Sequence, residues 1–305
     1  MSFRHEALLY AGRDEFADRI GAFVRDAVAA EEPVLAVVDS EKIDLLREAL
    51  HGETGEVFFA DMRELGGNPA RIIPAWREFV AEHTVSRRRV RGVGEPIWPG
   101  RSEAELAECR RHESLLNLAF AEGRPWWLVC PYDTEALDPA VVEEARRTHP
   151  FVCEDGVGRE SVDYYGLEAI ARPFDEELPD PPGEASELAF RTGPLSSLRR
   201  FVARHAADLG AERRADFVLA VHEVVSNSLR HGGGKGILRL WHDRDAVVCE
   251  VSDGGRIDDP LVGRERPAFA RAGGRGLWLA NQLCDLVQVR SFATGSVVRL
   301  HMKLG

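Results

Sequence analysis

A proline-rich segment near the middle of the chain constrains the fold more than any other feature. Pro173-Phe-Asp-Glu-Glu-Leu-Pro-Asp-Pro-Pro-Gly183 combines four prolines and a glycine with an acidic bias. Because proline fixes φ and lacks an amide donor, such a segment cannot form the interior of a helix or a sheet. We therefore predict a linker over residues 171–185, between a first domain of residues 1–170 and a second of residues 186–305. Each domain is long enough for a hydrophobic core of its own.

Before this segment, strand-like and helix-like stretches alternate. Val34–Val38 is a continuous apolar run, as expected for a strand buried on both faces. The apolar residues from Phe16 to Val28 recur instead at helical spacing. The last buried strand is predicted at Trp126–Cys130. This alternation predicts an α/β domain with a mostly parallel sheet and helices on both faces.

After the segment the order of elements changes. Two helices are predicted at about residues 195–209 and 213–230, then strands at 236–242 and 246–252, a helix from about 276 and two closing strands. This order predicts an α+β two-layer sandwich, with helices on one face of a mostly antiparallel sheet.

The overall charge and the cysteines narrow the class of protein. A net charge of −12 disfavours a surface built for nucleic acid or an anionic membrane. No apolar run approaches the roughly 20 residues that cross a bilayer, and the first residues lack the apolar core of a signal peptide. The five cysteines are scattered at no metal-ligand spacing, so we interpret them as reduced thiols. These observations predict a cytoplasmic protein without nucleic-acid or membrane partners.

Three short motifs in the second domain point to a ligand site. Glu223 and Asn227 are four residues apart and therefore share one face of a predicted helix. Taken alone, this pair fits a structural role, as a cap or a salt link, as well as it fits a ligand site. Asp253-Gly-Gly255 follows a predicted strand. A carboxylate at a strand end can accept a hydrogen bond from a planar ligand, although Asp-Gly is also a common turn.

The third motif is Gly273-Gly-Arg-Gly276, which leads directly into a predicted helix. Glycines before a helix N-terminus expose backbone N–H groups and the positive helix end to an anion, most often phosphate. A single motif of this kind is weak evidence. The three motifs occur in this order within 54 residues, and together they predict a nucleotide site.

With these motifs, residues 186–305 resemble the GHKL ATPases, and specifically their anti-sigma-factor serine kinase branch. Glu223-x-x-x-Asn227 matches the N box, Asp253-Gly-Gly255 the first glycine box and Gly274-Arg-Gly276-Leu277 the second. The resemblance implies a Bergerat-type fold that binds ATP and Mg²⁺. Asn227 would hold the Mg²⁺, Asp253 would bind the adenine amine and Glu223 would act as general base. The further nucleotide-binding residues that the two glycine boxes imply are Gly255, Gly274, Arg275, Gly276 and Leu277.

Two departures bear on the activity. The first is Ile257, which stands where the first glycine box usually has its second glycine. The short interval of residues 258–272 is interpreted as an abbreviated lid, as in the anti-sigma-factor kinases. No helical hairpin with a phospho-accepting histidine precedes the module, which argues against a two-component histidine kinase. Arg111-His112-Glu113 lies in a predicted helix of the first domain and is interpreted as structural. The glycine-rich loop at residues 231–236 lacks the Ser or Thr of a phosphate loop.

Residues 1–155 resemble the MEDS sensory domain, which is related to RecA- and KaiC-like ATPases. The stretches that carry the resemblance are Arg4–Tyr10, Asn68–Arg71, Gly94–Trp98 and Cys130–Asp133. No phosphate loop follows the first predicted strand, so we expect that this domain does not hydrolyse nucleotide. It would either sense a small-molecule ligand or act as a scaffold.

Several polar and aromatic residues of the first domain are candidates for ligand contact. We expect them at strand ends, where open α/β sheets bind ligands: His5, Glu6, Glu95, Trp98, His112, Glu113 and Tyr132. For each residue taken separately, a structural role is the simpler interpretation. His5 and His112 with neighbouring glutamates would suit a metal, but the sequence does not give their separation, and we assign no metal here.

The sequence as a whole suggests a cytoplasmic signalling regulator. In the leading hypothesis, an N-terminal sensory domain controls an ATP-dependent serine/threonine kinase. Its substrate would be an anti-sigma-factor antagonist of the STAS type, with a sigma factor as second partner and a homodimer as the plausible assembly. The alternative, which Ile257 motivates, is a catalytically weak or inactive ATP-binding module that regulates a sigma factor or another partner by sequestration.

Overall fold

The computed structural model describes residues 3–52, 55–84, 89–123, 125–167, 176–181, 183–267 and 275–305. The chain divides into two compact units, Met1–Ile170 and Ala171–Gly305. Among the described residues, no helix is both long and apolar enough to cross a membrane.

The first unit alternates strands and helices around one sheet. In the described residues its strands are β1 (Arg4–Tyr10), β2 (Val34–Val38), β3 (Val57–Asp61), β4 (Val90–Gly94), β5 (Trp126–Asp133), β6 (Phe151–Glu154) and β7 (Val157–Glu160). The helices are α1 (Gly12–Ala29), α2 (Ser40–Ala49), α3 (Met62–Leu65), α4 (Ile72–His83), α5 (Glu103–Ala119) and α6 (Pro139–Thr148). The strand order is β3-β2-β4-β5-β1-β6-β7. All neighbouring strands are parallel except β6 and β7.

The prediction of a mostly parallel α/β sheet is therefore confirmed, but β5 is not its last strand. Helix α6 and strands β6 and β7 follow β5, and the sequence pattern does not reveal them. Strand β7 has only exposed residues, and in β6 only Val152 is fully buried. The apolar run of β6 is only three residues long and β7 has none, so neither strand gives a clear signal.

Side-chain caps fix where the helices next to the sheet begin. Ser102 accepts a hydrogen bond from the Glu105 amide, and the Glu105 carboxylate accepts one from the Ser102 amide, so α5 starts with a complete capping box. Helix α6 starts at Pro139, and the Asp138 side chain accepts from the Ala140 amide. These caps set the position of every side chain that α5 and α6 present to the sheet.

The second unit has one sheet with its described helices on one face. Its elements are β8 (Ser186–Arg191), α7 (Ser196–His205), α8 (Ala211–His231), β9 (Lys235–Asp243), β10 (Ala246–Asp253), α9 (Arg275–Leu283), β11 (Leu286–Phe292) and β12 (Gly295–Lys303). The strand order is β11-β12-β10-β9-β8, and every pair is antiparallel. The predicted α+β arrangement is confirmed. The edge strand β8 is not predicted from the sequence. Only Phe190 of its six residues is buried, so it lacks the apolar pattern of a strand.

The core of this unit lies between α8 and the inner face of the sheet. Phe217, Val221 and Val224 of α8 pack with inward residues of the strands such as Cys249 and Leu300, all of which are at most 1% exposed. Burial of this kind contributes about 25 cal/mol for each Å² of apolar surface. Helix α8 is therefore held in place along most of its length, which positions its remaining polar side chains.

Part of the proline-rich segment is bound to the outer face of this sheet. Arg290 Nε donates to the Glu176 carbonyl oxygen at 3.0 Å, and Arg299 Nη2 donates to the Pro179 carbonyl oxygen at 2.8 Å. The described residues 176–181 form neither helix nor strand, so their carbonyl groups remain available to these arginines.

Candidate functional site

Helix α8 and the start of α9 bring two of the three motifs together. Glu223 and Asn227 are half-buried on α8, between positions that are packed in the core. A Cβ atom on Gly276 would lie 2.6 Å from Asn227 Nδ2. The helix start of α9 thus lies directly against the Asn227 amide, and a side chain at position 276 would displace that amide. Among the described residues, neither Glu223 nor Asn227 has a side-chain hydrogen-bond or ion-pair partner.

Asp253 ends β10 with one carboxylate oxygen already bound. Its Oδ1 accepts from the Gly255 amide at 2.7 Å and from Ser296 Oγ at 3.0 Å. These bonds fix the orientation of the carboxylate, and in the described part of the chain no hydrogen bond reaches Oδ2. Oδ2 is therefore the oxygen that can accept a hydrogen bond from a ligand.

The C-terminal end of α8 meets Asp253 at close range. A Cβ atom on Gly232, the residue that caps α8, would lie 2.3 Å from Asp253 Cγ. The Gly254 amide donates to the Gly232 carbonyl oxygen at 3.3 Å. Asn227 is thereby placed about one turn of helix from the strand end that carries Asp253.

The second glycine box is described in part. Arg275 is exposed at the first position of α9, whereas Gly276 and Leu277 are buried. Gly274 lies outside the described residues. The first turn of α9 has backbone N–H groups without intrahelical partners, which suit an anion such as phosphate. Asn281 of the same helix donates from Nδ2 to the Gly263 carbonyl oxygen at 3.0 Å and so holds the described part of the lid.

Ile257 anchors the loop that follows Asp253. Its amide donates to Ser291 Oγ of β11 at 2.9 Å, and its half-buried side chain packs against the core. The loop is thus held by a hydrogen bond and an apolar contact at the position where the family pattern has a glycine. This contact explains how the chain accommodates the departure without losing the position of Asp253.

The seven candidate residues of the first unit divide into separate environments. Glu95 follows β4 and accepts from the Tyr10 hydroxyl at 2.7 Å and from Lys42 Nζ at 2.6 Å. Burial raises the pKa of Glu95 to about 7, although the Lys42 ammonium lowers it. Burial likewise raises the pKa of Tyr10. This group lies at the carboxyl ends of parallel strands, where a ligand of an open α/β sheet would be expected.

Of the other candidates, Tyr132 also lies at the carboxyl end of its strand, β5, whereas His5 and Glu6 lie near the amino end of β1. His112 and Glu113 lie within α5, so the expectation of strand-end positions is wrong for them. Glu6 accepts from Trp127 Nε1 at 2.9 Å, and the Arg101 guanidinium stacks on Trp98 at 3.6 Å from the ring centre. These contacts are those of structural side chains.

His5 and Glu113 are in contact, and they lie beside two further residues that sequence spacing does not reveal. His5 Nε2 lies 3.1 Å from Glu113 Oε2, and Cys130 and His149 complete a fully buried group. Burial and the neighbouring His149 lower the pKa of His5 to about 4, so its ring is neutral near pH 7. His112 is not part of this group, and Tyr132 flanks it with an edge-on contact to the His149 ring at 5.6 Å.

Comparison with known families agrees with both halves of the fold. The family described as MEDS, the methanogen/methylotroph and DcmR sensory domain, matches residues 4–150. The family described as histidine kinase-like ATPase domain matches residues 188–302. A comparison with curated proteins found no match. The chain therefore joins a region that matches the MEDS sensory domain to a region that matches the histidine kinase-like ATPase domain. This combination supports a regulatory ATP-binding protein.

Proposed function

We propose that the second unit is a serine/threonine protein kinase of the GHKL type, with a Bergerat-type nucleotide site. The observation that carries this proposal is the meeting of Asn227 with the start of α9, next to Asp253 with a carboxylate oxygen free for a ligand. Asn227 would be the metal ligand, the start of α9 the phosphate site and Asp253 the acceptor for adenine. The match to the ATPase family supports the same assignment.

Each side chain has a role that follows from its position. Asp253 Oδ2 would accept the exocyclic amine of adenine, and the N–H groups at the start of α9 would bind the phosphates. Asn227 offers an amide oxygen, a ligand type that Mg²⁺ accepts, and bound Mg²⁺ supplies charge neutralisation at the phosphates. The half-buried Glu223 is the candidate base on the same helix face.

The transfer itself needs a hydroxyl from the partner protein. The serine or threonine oxygen would form a bond to the γ-phosphorus while the bond from that phosphorus to the bridging oxygen breaks and ADP leaves. Glu223 would take the hydroxyl proton. The substrate we propose is an anti-sigma-factor antagonist of the STAS type, with a sigma factor as the second partner and the MEDS domain as the controlling input.

Nucleotide binding is the first step to test. The full chain is titrated by calorimetry with a non-hydrolysable ATP analogue, with and without Mg²⁺. We expect binding that requires Mg²⁺ and is lost in Asn227→Ala and in Asp253→Asn. Asp245→Asn is the matched control, because Asp245 is exposed at the opposite end of β10. Binding that is equal in all these variants would contradict the site.

Phosphoryl transfer is tested separately from binding. We expect Glu223→Gln to bind the analogue normally but to transfer no phosphate to a STAS-type protein. Glu212→Gln is the control, since Glu212 is exposed in the first turn of the same helix. Acid-stable phosphate on serine or threonine supports the proposal, whereas phosphate on histidine would refute it.

The anchored Ile257 favours a second candidate function. Because this residue fixes the loop beside Asp253 by packing and by its bond to Ser291, the unit would bind a partner without turnover. In that case the partner binds with equal affinity with and without Mg-ATP, and no phosphate is transferred.

A further inference from the structure

Four buried side chains of the first unit converge on one face of its sheet. They are His5 of β1, Glu113 of α5, Cys130 of β5 and His149, which directly follows α6. One ligand atom from each lies within 4.8 Å of those of the other three. In the parallel pair of β1 and β5, Ala7 is opposite Cys130, so Cys130 and His5 point to the same face.

Four of the six separations between these atoms are close to those of a tetrahedral metal site. His5 Nε2 and His149 Nε2 lie 3.1 and 3.3 Å from Glu113 Oε2. Cys130 Sγ lies 3.4 Å from His5 Nε2 and 3.6 Å from Glu113 Oε2. Zn²⁺ binds nitrogen, oxygen and sulfur at about 2.0–2.3 Å, which places tetrahedral ligand atoms about 3.3–3.8 Å apart. These four separations need to change by only a few tenths of an ångström. The separations from His149 to His5 and to Cys130 are at most 4.8 Å, so His149 would move closer to them when the ion binds.

Hydrogen bonds on the other side of both imidazoles direct Nε2 into the cluster. His149 Nδ1 lies 2.8 Å from the Ala145 carbonyl oxygen, which only accepts, so Nδ1 carries the hydrogen. Asn117 donates its amide nitrogen to the Thr148 carbonyl oxygen at 2.8 Å. Its oxygen therefore faces His5 Nδ1 at 3.1 Å, and this Nδ1 also carries the hydrogen. In this tautomer each ring directs the lone pair of Nε2 into the cluster.

Without a cation, these lone pairs face a carboxylate in a site closed to water. Each of the four side chains belongs to a residue that is at most 1% exposed. Among the described residues, Glu113 Oε1 and His149 Nε2 have no hydrogen-bond partner. Buried polar atoms normally have one. A proton on one imidazole would provide a hydrogen bond to Glu113 from that ring only. A divalent cation would interact with the ligand atoms of all four side chains at once.

We propose that His5, Glu113, Cys130 and His149 bind one Zn²⁺ ion. Two imidazoles, a thiolate and a carboxylate favour Zn²⁺ over Mg²⁺ or Ca²⁺, which prefer oxygen ligands alone. Binding converts the Cys130 thiol to a thiolate and releases its proton to solvent. The bonds from Nδ1 of the two histidines are the outer contacts that orient metal-binding rings. With four protein ligands the site is closed, and it joins β1, α5, β5 and the residue after α6.

The test is metal binding by the full chain. The protein is refolded in the presence of a chelator, freed of it, and titrated with Zn²⁺ in competition with a chromophoric chelator. Co²⁺ then serves as the spectroscopic probe. We expect one equivalent of Zn²⁺ per chain, and a cobalt complex with tetrahedral absorption and a thiolate-to-cobalt charge-transfer band.

Variants locate the ion. Asn117→Ala removes the contact that orients His5 and should weaken Zn²⁺ binding by about 10–100-fold. Cys130→Ser should weaken it further and abolish the charge-transfer band. Cys109→Ser is the matched control: Cys109 is an equally buried thiol that donates to the Pro96 carbonyl oxygen at 3.4 Å, a bond that serine can keep. Circular dichroism establishes that each variant is folded.

Three outcomes would overturn the proposal. One is a folded, chelator-treated chain that binds no Zn²⁺, and another is a cobalt complex without the thiolate band. The third is equal Zn²⁺ affinity in Cys130→Ser and the unsubstituted chain, which would place the ion elsewhere. The cobalt spectrum of the unsubstituted chain remains decisive even if a variant does not fold.

Discussion

Glu95 shows how one buried side chain links the fold of the first unit to pH. Its carboxylate lies at the carboxyl end of β4, between the Tyr10 hydroxyl and the Lys42 ammonium, with the Asp39 carboxylate nearby. Burial is the largest influence and raises its pKa to about 7, from an ordinary value of 4.5. Between pH 4.5 and about 7, Glu95 is therefore protonated in the folded state but ionised in the unfolded state.

The sign of the resulting pH dependence follows directly. Glu95 favours folding most at pH below about 4.5, and this contribution is lost as pH rises through about 7, by up to about 3 kcal/mol. Glu95→Gln mimics the protonated form and should remove this fall in the free energy of unfolding. Urea unfolding at a series of pH values measures it. Glu122→Gln, at an exposed position, should keep the fall, and a fall that persists in Glu95→Gln would contradict the assignment.

Gly276 gives a second prediction for a single residue. In Gly276→Ala the added Cβ would lie 2.6 Å from Asn227 Nδ2 and force that amide to move. We expect at least about tenfold weaker binding of Mg-ATP analogue, or about 1.4 kcal/mol, although alanine is intrinsically favourable in a helix. Gly210→Ala is the control, because a Cβ there meets nothing within 4 Å. Equal affinity in both variants would show that Asn227 does not need its present position.

At the scale of elements, α5 supports the buried cluster through its N-terminal cap. Ser102→Ala removes the capping hydrogen bond to the Glu105 amide and should lower the free energy of unfolding by about 1 kcal/mol. Ser40→Ala is the comparison, because α2 is capped by Asp39 and Ser40 is exposed. Chemical denaturation measures both. Equal small effects would mean that packing alone fixes the start of α5.

Elements differ in how far the sequence predicts them. Helix α8 is identified by its helical periodicity and strand β2 by its continuous apolar run. Strands β6 and β8 are short and partly exposed, and they gain their structure from neighbours that lie far away along the chain. Tertiary pairing decides such strands, and local pattern does not record it.

The two candidate sites differ in the same way. The nucleotide site rests on motifs at a helix face, a strand end and a helix start, and their order along the chain predicts the residues. The buried cluster joins His5, Glu113, Cys130 and His149 from three elements and the residue after a fourth. Their spacing has no short repeat, so only the register of β1 with β5 and the packing of α5 bring them together. His5 and Glu113 are visible as candidates in the sequence, whereas their partners are not.

At the scale of the whole molecule, the two compact units carry candidate sites of two unrelated kinds. The first unit holds a group suited to a metal and the second a group suited to a nucleotide. Each sheet is complete within its own unit. Each unit has its own core. If the first unit regulates the second, it therefore does so by changing the stability or the contacts of the second unit.

Calorimetry of the full chain tests this division. We expect two unfolding transitions, because each unit has its own sheet and core. A Mg-ATP analogue at about 100 times its Kd stabilises the unit that binds it by about 2.7 kcal/mol, and should raise only one Tm. Asp253→Asn should abolish that shift and leave the other transition unchanged. A single transition that moves as a whole with the analogue would show instead that the two units unfold as one cooperative body.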